Sequence, residues 1–124
     1  MGSDKNIEIV RKVLGNGLAV EPYLTDDAVW KIPGIGTFSG MEEISSKLLA
    51  PMHKMMKSMG RSVITNIVAQ DDCVVVESYA EGRVTKTGKP YNNTYCHVYR
   101  FRGESIYHVT EYTDTALAKS VFAD

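Results

Sequence analysis

The sequence predicts an α+β fold in which one strongly bent antiparallel sheet wraps on helices from the N-terminal half. Two patterns predict it. Helices with apolar residues at three- and four-residue steps come first, before Arg61, and strand-like segments follow from Arg61 to Asp114, with clear period-two alternation over residues 94–101. Turn-forming clusters at Asp71-Asp72, Thr87–Pro90 and Arg102–Glu104 divide that stretch into four antiparallel strands.

Taken in order, residues 4–14 form a first helix, with Ile7, Val10, Arg11 and Leu14 on one face, Ser3 or Asp4 as N-cap and Gly15 to Gly17 as the stop. Residues 18–24 add a short second helix, and residues 27–32 are a strand ended by Pro33 and Gly34. The glycine-rich residues 34–40 read as a loop. Residues 41–58 form a third helix on which Leu48, Met52, Met55, Met56 and Met59 make an apolar stripe. That stripe packs on the sheet or supplies an adaptable wall for a ligand. Pro51 cannot donate to the Lys47 carbonyl, so the helix kinks or breaks there. After the strands, Asp114 caps a terminal helix over residues 115–122.

A chain of 124 residues is one domain over residues 1–124, able to bury roughly two thirds of its unfolded surface. Fourteen Lys and Arg balance fifteen Asp and Glu, for a formal net charge of -1, which disfavours nucleic-acid and anionic-membrane partners. The polar N-terminus carries neither a secretory pattern nor an apolar span, so a cytosolic protein is expected. Cys73 and Cys96 are expected to be reduced and buried: a hairpin turning near Gly88 sets Cys96 opposite about residue 80, on the order of 20 Å from Cys73. His53, His97 and His108 lack metal-ligand spacing, so no metal site is expected. No phosphate loop or nucleotide fingerprint is present, and no cofactor is implied.

The chemistry concentrates near the C-terminus. Tyr95, His97, Tyr99 and Phe101 alternate with Thr94, Cys96, Val98 and Arg100, which puts aromatic and titratable side chains on one face. Asn93, Tyr95, His97 and Tyr99 suit a pocket wall, each offering apolar area and a polar tip. The partner row depends on the turn. A two-residue Gly103-Glu104 loop sets Ile106, His108, Thr110 and Tyr112 beside His97, whereas a three-residue loop sets Tyr107, Val109, Glu111 and Thr113 there. The residues alone leave both open.

This hairpin, the Trp30-Lys31-Ile32-Pro33 segment and the closing Glu111-Tyr112-Thr113-Asp114 resemble the SnoaL-like proteins of the nuclear transport factor two superfamily, which includes ketosteroid isomerases, limonene epoxide hydrolases and polyketide cyclases. The resemblance spans nearly the whole chain. It implies a cone-shaped roll, the cystatin-like α+β barrel, and the register in which Glu111 faces His97 with Cβ atoms about 5 Å apart. Opposed in this way, a carboxylate fixes the imidazole tautomer and the pair can move a proton near neutral pH. Glu111 and His97 are therefore the candidate catalytic residues, and Trp30, Ile32, Asn93, Tyr95, Tyr99, Val109 and Thr113 the candidate ligand-binding residues.

The resemblance also narrows the reaction. Ketosteroid isomerases carry their base at the position of Ile32, a protonated acid at His97 and a tyrosine on the first helix, which this chain lacks. Limonene epoxide hydrolases use polar groups at the positions of Ser78, Ala80, Trp30, Ile32 and Glu111, of which only the acid remains. Both routes are disfavoured, and isomerase, cyclase or dehydratase chemistry on an apolar or aromatic small molecule is expected, with a non-catalytic binding or dimerisation module as the alternative. No cationic clamp for a phosphate or sulfate is apparent. The outward row of Thr94, Cys96 and Val98 leads to the expectation of a homodimer through the sheet.

Overall fold

In the computed structural model, residues 2–122 are described. Helix α1 (Gly2–Gly15) buries Ile9, Val10, Val13 and Leu14 in the main core. It already includes Ser3 and Asp4, which therefore sit in its first turn rather than capping it. The helix expected over residues 18–24 shrinks to one 3₁₀ turn, Glu21–Tyr23. Gly17 and Leu18 take left-handed backbone angles that interrupt the helical path, and Leu24 is already extended. Strand β1 (Leu24–Ile32) starts there, and β2 (Gly36–Ser39) pairs back on it through Trp30↔Phe38 and Ile32↔Gly36. A strand thus replaces the expected loop over 34–40, because pairing along an edge overrides the low strand propensity of its glycines.

The third helix runs as α2 (Met41–Glu43), a π-helical stretch Ile44–Leu49, and α3 (Ala50–Met55). Pro51 neither ends nor breaks it. The wider π turn lets the Ala50 N–H bond Ser45 one residue further back, so the carbonyls ahead of the proline are redistributed. The helix stops at Met55, three residues short of expectation, and Met56–Ser58 becomes the short strand β3. The methionine stripe accordingly divides. Met56 is buried in a second cluster with Tyr91, Ala118 and Val121, whereas Leu48, Met52 and Met55 face a cavity.

The sheet is built from β4 (Arg61–Gln70), β5 (Cys73–Glu81), β7 (Thr94–Arg102) and β8 (Ser105–Thr113) together with β1 and β2, in the order β2-β1-β8-β7-β5-β4. All neighbours are antiparallel except β1 and β8, which run parallel. Bulges help bend it into a cone: Thr65 is the extra residue of β4, and Tyr107 that of β8. Helix α4 (Thr115–Phe122) follows, with the Leu117 N–H donating to Asp114 Oδ1 as expected of a cap.

Between β5 and β7 the chain makes an excursion through β6 (Val84–Thr85), which pairs with β3. The Gly88 turn belongs to this side hairpin, so the β5–β7 register shifts and Cys96 lies opposite Glu77 rather than residue 80. Cys73 pairs with Arg100, four positions away and about 13 Å at strand rise. Both thiols are free and half-buried, less enclosed than expected. Burial, and then the Glu77 carboxylate, push the Cys96 thiol up.

Gly60 holds this corner together. Its φ is +60°, and an added Cβ would sit 2.7 Å from the Arg83 nitrogen while running into the Glu81 carbonyl oxygen. The two chain segments therefore touch backbone to backbone, which only glycine allows. We expect Gly60→Ala to lower stability by roughly 2–4 kcal/mol in chemical denaturation, well above the cost of an ordinary surface exchange. A loss below about 0.5 kcal/mol would show that the corner is not tightly packed.

Candidate ligand-binding and acid/base site

The concave face of the sheet and the helices enclose a cavity of about 510 Å³, within the usual range for small-molecule sites. Trp30 and Ile32 of β1 form one side, and Leu48, Met52 and Met55 of the helical run face them. Tyr95, His97 and Tyr99 make the aromatic wall, since alternation on β7 turns all three inward.

Glu111 stands directly opposite His97 in the β7–β8 ladder. The register arises in an unexpected way. The loop is the two-residue Gly103-Glu104 turn, with Gly103 at φ +66°, yet the Tyr107 bulge shifts every later residue by one. Ile106 and Val109, three apart, are consequently both fully buried.

The Glu111 carboxylate is held at one oxygen. Trp30 Nε1–H donates to Oε1 at 3.3 Å, and His97 Nε2 lies 3.2 Å from the same atom. Since a carboxylate only accepts, His97 carries its proton on Nε2. Its Nδ1 is buried without a partner among the described residues. Among the described residues no protein donor meets Oε2, the oxygen left to act. The His97 ring is stacked between Tyr95 and Tyr99, at 5.3 and 5.5 Å between centroids, with the Trp30 ring edge-on at 6.2 Å. Its side chain is 5% exposed and that of Glu111 15%.

Of the other expected ligand-binding residues, Trp30, Ile32, Tyr95, Tyr99 and Thr113 line the cavity. Asn93 and Val109 do not. Val109 is packed in the core between its ladder neighbours Trp30 and Tyr99. Asn93 is a structural knot: its Nδ2 donates to the Tyr91 hydroxyl and the Asp114 carbonyl, and its Oδ1 accepts from the Thr94 and Asp114 amides. Both donors are used, leaving none for a ligand.

The cavity also holds cations that the alternation of the strands does not predict. Arg83 lines it and is 2% exposed, and Lys47 and Lys119 lie at its wall as exposed residues. Strand alternation through Ser78 and Ala80 would turn residue 83 outward. Gly82, at φ +74°, ends the strand and turns Arg83 inward instead. The one available signal was a lone arginine following a glycine break in an otherwise apolar and aromatic region.

Comparison with protein-family models matches residues 15–109 to the SnoaL-like domain. The chain belongs to the SnoaL-like domain family. Glu111 lies just beyond the matched segment. Solved structures agree on the NTF2-like and ketosteroid isomerase-like fold. An NTF2-like protein of unknown function from Burkholderia pseudomallei superposes with a TM-score of 0.79 at 18% identity, covering 97% of this chain and 98% of its own. A protein of ketosteroid isomerase-like fold from Catenulispora acidiphila, in complex with trimethylamine, gives 0.70 at 26% identity over 85% and 84%. A de novo designed protein with a curved β-sheet gives 0.73 at 19% identity over 98% and 94%. Comparison with curated protein sequences returned no match. No helix among the described residues is long and apolar enough to cross a membrane.

Three tyrosines of this SnoaL-like protein report on the enclosure. Burial is the leading cause that raises Tyr91, Tyr95 and Tyr99 above the ordinary 10.0, far above it for the last two, and the Glu111 charge pushes the same way. The unfolded chain then binds fewer protons than the native one above pH 10, so stability falls as pH rises past that value. In a phenolate absorbance titration Tyr95 and Tyr99, two of the seven tyrosines, should ionise only as circular dichroism reports unfolding. Tyr99→Phe should move the alkaline midpoint upward. All seven titrating together near pH 10 in folded protein would contradict this enclosure.

Proposed function

We propose that this SnoaL-like protein binds an apolar or aromatic small molecule in its cone and performs acid/base chemistry on it, of isomerase, cyclase or dehydratase type. The observation that carries the reading is the divided carboxylate of Glu111. Its Oε1 is anchored by Trp30 and His97, while among the described residues Oε2 meets no protein donor, and Glu111 lines a cavity whose walls are mostly apolar. A carboxylate held this way can take a proton from a carbon next to a carbonyl and return it elsewhere on the same molecule, with no cofactor required. His97 acts as a positioning residue: its Nε2–H keeps the acid oriented, and the rings on either side exclude water.

Family membership supports an enzyme of this breadth without naming a reaction, since one scaffold hosts many. A ligand-binding module without catalysis would use the same anchored acid to orient its ligand, and the Glu111 substitution below separates the two readings. We further propose a homodimer through the outer sheet face, where Val68, Tyr79 and Tyr112 are exposed beside Val98 and Cys96. A cytosolic setting suits two free, partly accessible thiols.

Glu111→Gln keeps the volume and removes the titration. Under the catalytic reading it should cut turnover of a substrate found by screening ring ketones by roughly two or more orders of magnitude, with affinity nearly retained. Turnover at the native rate would remove Glu111 from the mechanism. For the assembly, light scattering at high micromolar concentration should return twice the 13.8 kDa chain mass. Tyr112→Asp should shift the population toward monomer, and a monomer mass for the native chain would end the dimer proposal.

A further inference from the structure

Arg83 is a buried cation that the acid/base reading does not use. Its guanidinium has five N–H groups. Nε donates to the Met59 carbonyl at 2.9 Å and Nη1 to the Tyr95 hydroxyl at 3.3 Å. Among the described residues no carboxylate lies within ion-pair distance of it. Taking an arginine out of water without an anion costs several kcal/mol, so its position calls for an explanation.

The surroundings hold the guanidinium firmly. The Met59 carbonyl that fixes Nε immediately precedes Gly60, whose backbone lies against the Arg83 amide. The Arg83 amide itself donates to Asn92 Oδ1. Both ends of the residue are thus pinned by the corner where β3, β5 and β6 meet. Ser62 and Ser78 also line the cavity. Charge points the same way: Lys47, Arg83 and Lys119 line the cavity, with Glu111 as its one carboxylate among the described residues.

Tyr95 joins this end to the acid. Its hydroxyl accepts from Arg83, and its ring stacks on His97, which touches Glu111. A molecule with an anionic group at Arg83 would therefore lie along the aromatic wall with its body beside Glu111.

We propose that Arg83 is the anion-recognition residue of the cavity, and that the ligand is an apolar ring compound bearing a planar oxyanion, a carboxylate or a comparably acidic enol, which the guanidinium fork binds. This rests on the reading of the cavity as a chamber for ring compounds and adds the charge and orientation of its occupant. The fork matches two oxygens in a plane, as a lysine would not. The oxyanion supplies the missing counter-charge, and holding it at the far end of Tyr95 leaves the Glu111 carboxylate facing carbon rather than another anion.

Isothermal titration of the full chain with 2-naphthoate and with 2-naphthalenemethanol tests this. The native protein should bind the acid roughly tenfold or more tightly than the alcohol. Arg83→Met should abolish that preference while keeping affinity for the alcohol, and Arg83→Lys should retain only part of it. Should the methionine variant fail to fold, the native ratio and the lysine variant still decide. Equal binding of acid and alcohol by the native chain would overturn the anion site and leave the ring chamber standing. Binding of neither would overturn both. A preference for the acid that survives Arg83→Met but disappears in Lys47→Ala/Lys119→Ala would assign the charge recognition to the lysines and reject Arg83.

Discussion

The Tyr107 bulge is the constraint on which the site depends. Side chains alternate along a strand, so a slip of one residue in β8 would turn Glu111 and Thr113 outward and bring Thr110 and Tyr112 into the cone. A two-residue turn at Gly103-Glu104 by itself produces that slip. The extra residue at Tyr107 cancels it, and the benefit is collected at both ends of the strand. Ile106 pairs with Phe101 in the core before the bulge, and Val109 and Glu111 pair with Tyr99 and His97 after it. Apolar burial of Ile106 and Val109, each worth about 1.5–3 kcal/mol, therefore enforces the register that aligns the acid with the histidine.

Two polar features of the cone are held by different devices. Glu111 and His97 lie on adjacent strands and are positioned by sheet register, with Trp30 reaching across from β1. Arg83 lies off the sheet, on a segment with its own small hairpin, and is positioned by backbone contact at Gly60 and by the Met59 carbonyl. Asn93 ties the start of β7 to the start of α4. A long helix would have been broken by Pro51. The π-helical stretch before it keeps Leu48, Met52 and Met55 over the cavity instead.

That a designed protein shares this curved-sheet fold at 19% identity separates the scaffold from its contents. What a cone does is set by the few polar groups left inside it. Here these are an acid anchored at one oxygen, an imidazole with a defined tautomer, and a buried guanidinium.

Much of this was legible in the chain. Helical spacing before Arg61 and a run of strands separated by turn clusters after it indicated the α+β class, because those local patterns follow from backbone geometry whatever the partners. The alternation of Tyr95, His97 and Tyr99 likewise placed an aromatic wall on one face of β7. The tertiary structure decided the rest, where a residue's role depends on a distant partner. Asn93 looked like a ligand contact until Tyr91 and Asp114 consumed its donors, and Gly36–Ser39 became a strand only because β1 offered an edge. Plain strand alternation would set Arg83 outward. Gly82 breaks the alternation there, and the contact of Gly60 with the Arg83 backbone, made across more than twenty residues of chain, decides that the charge stays inside.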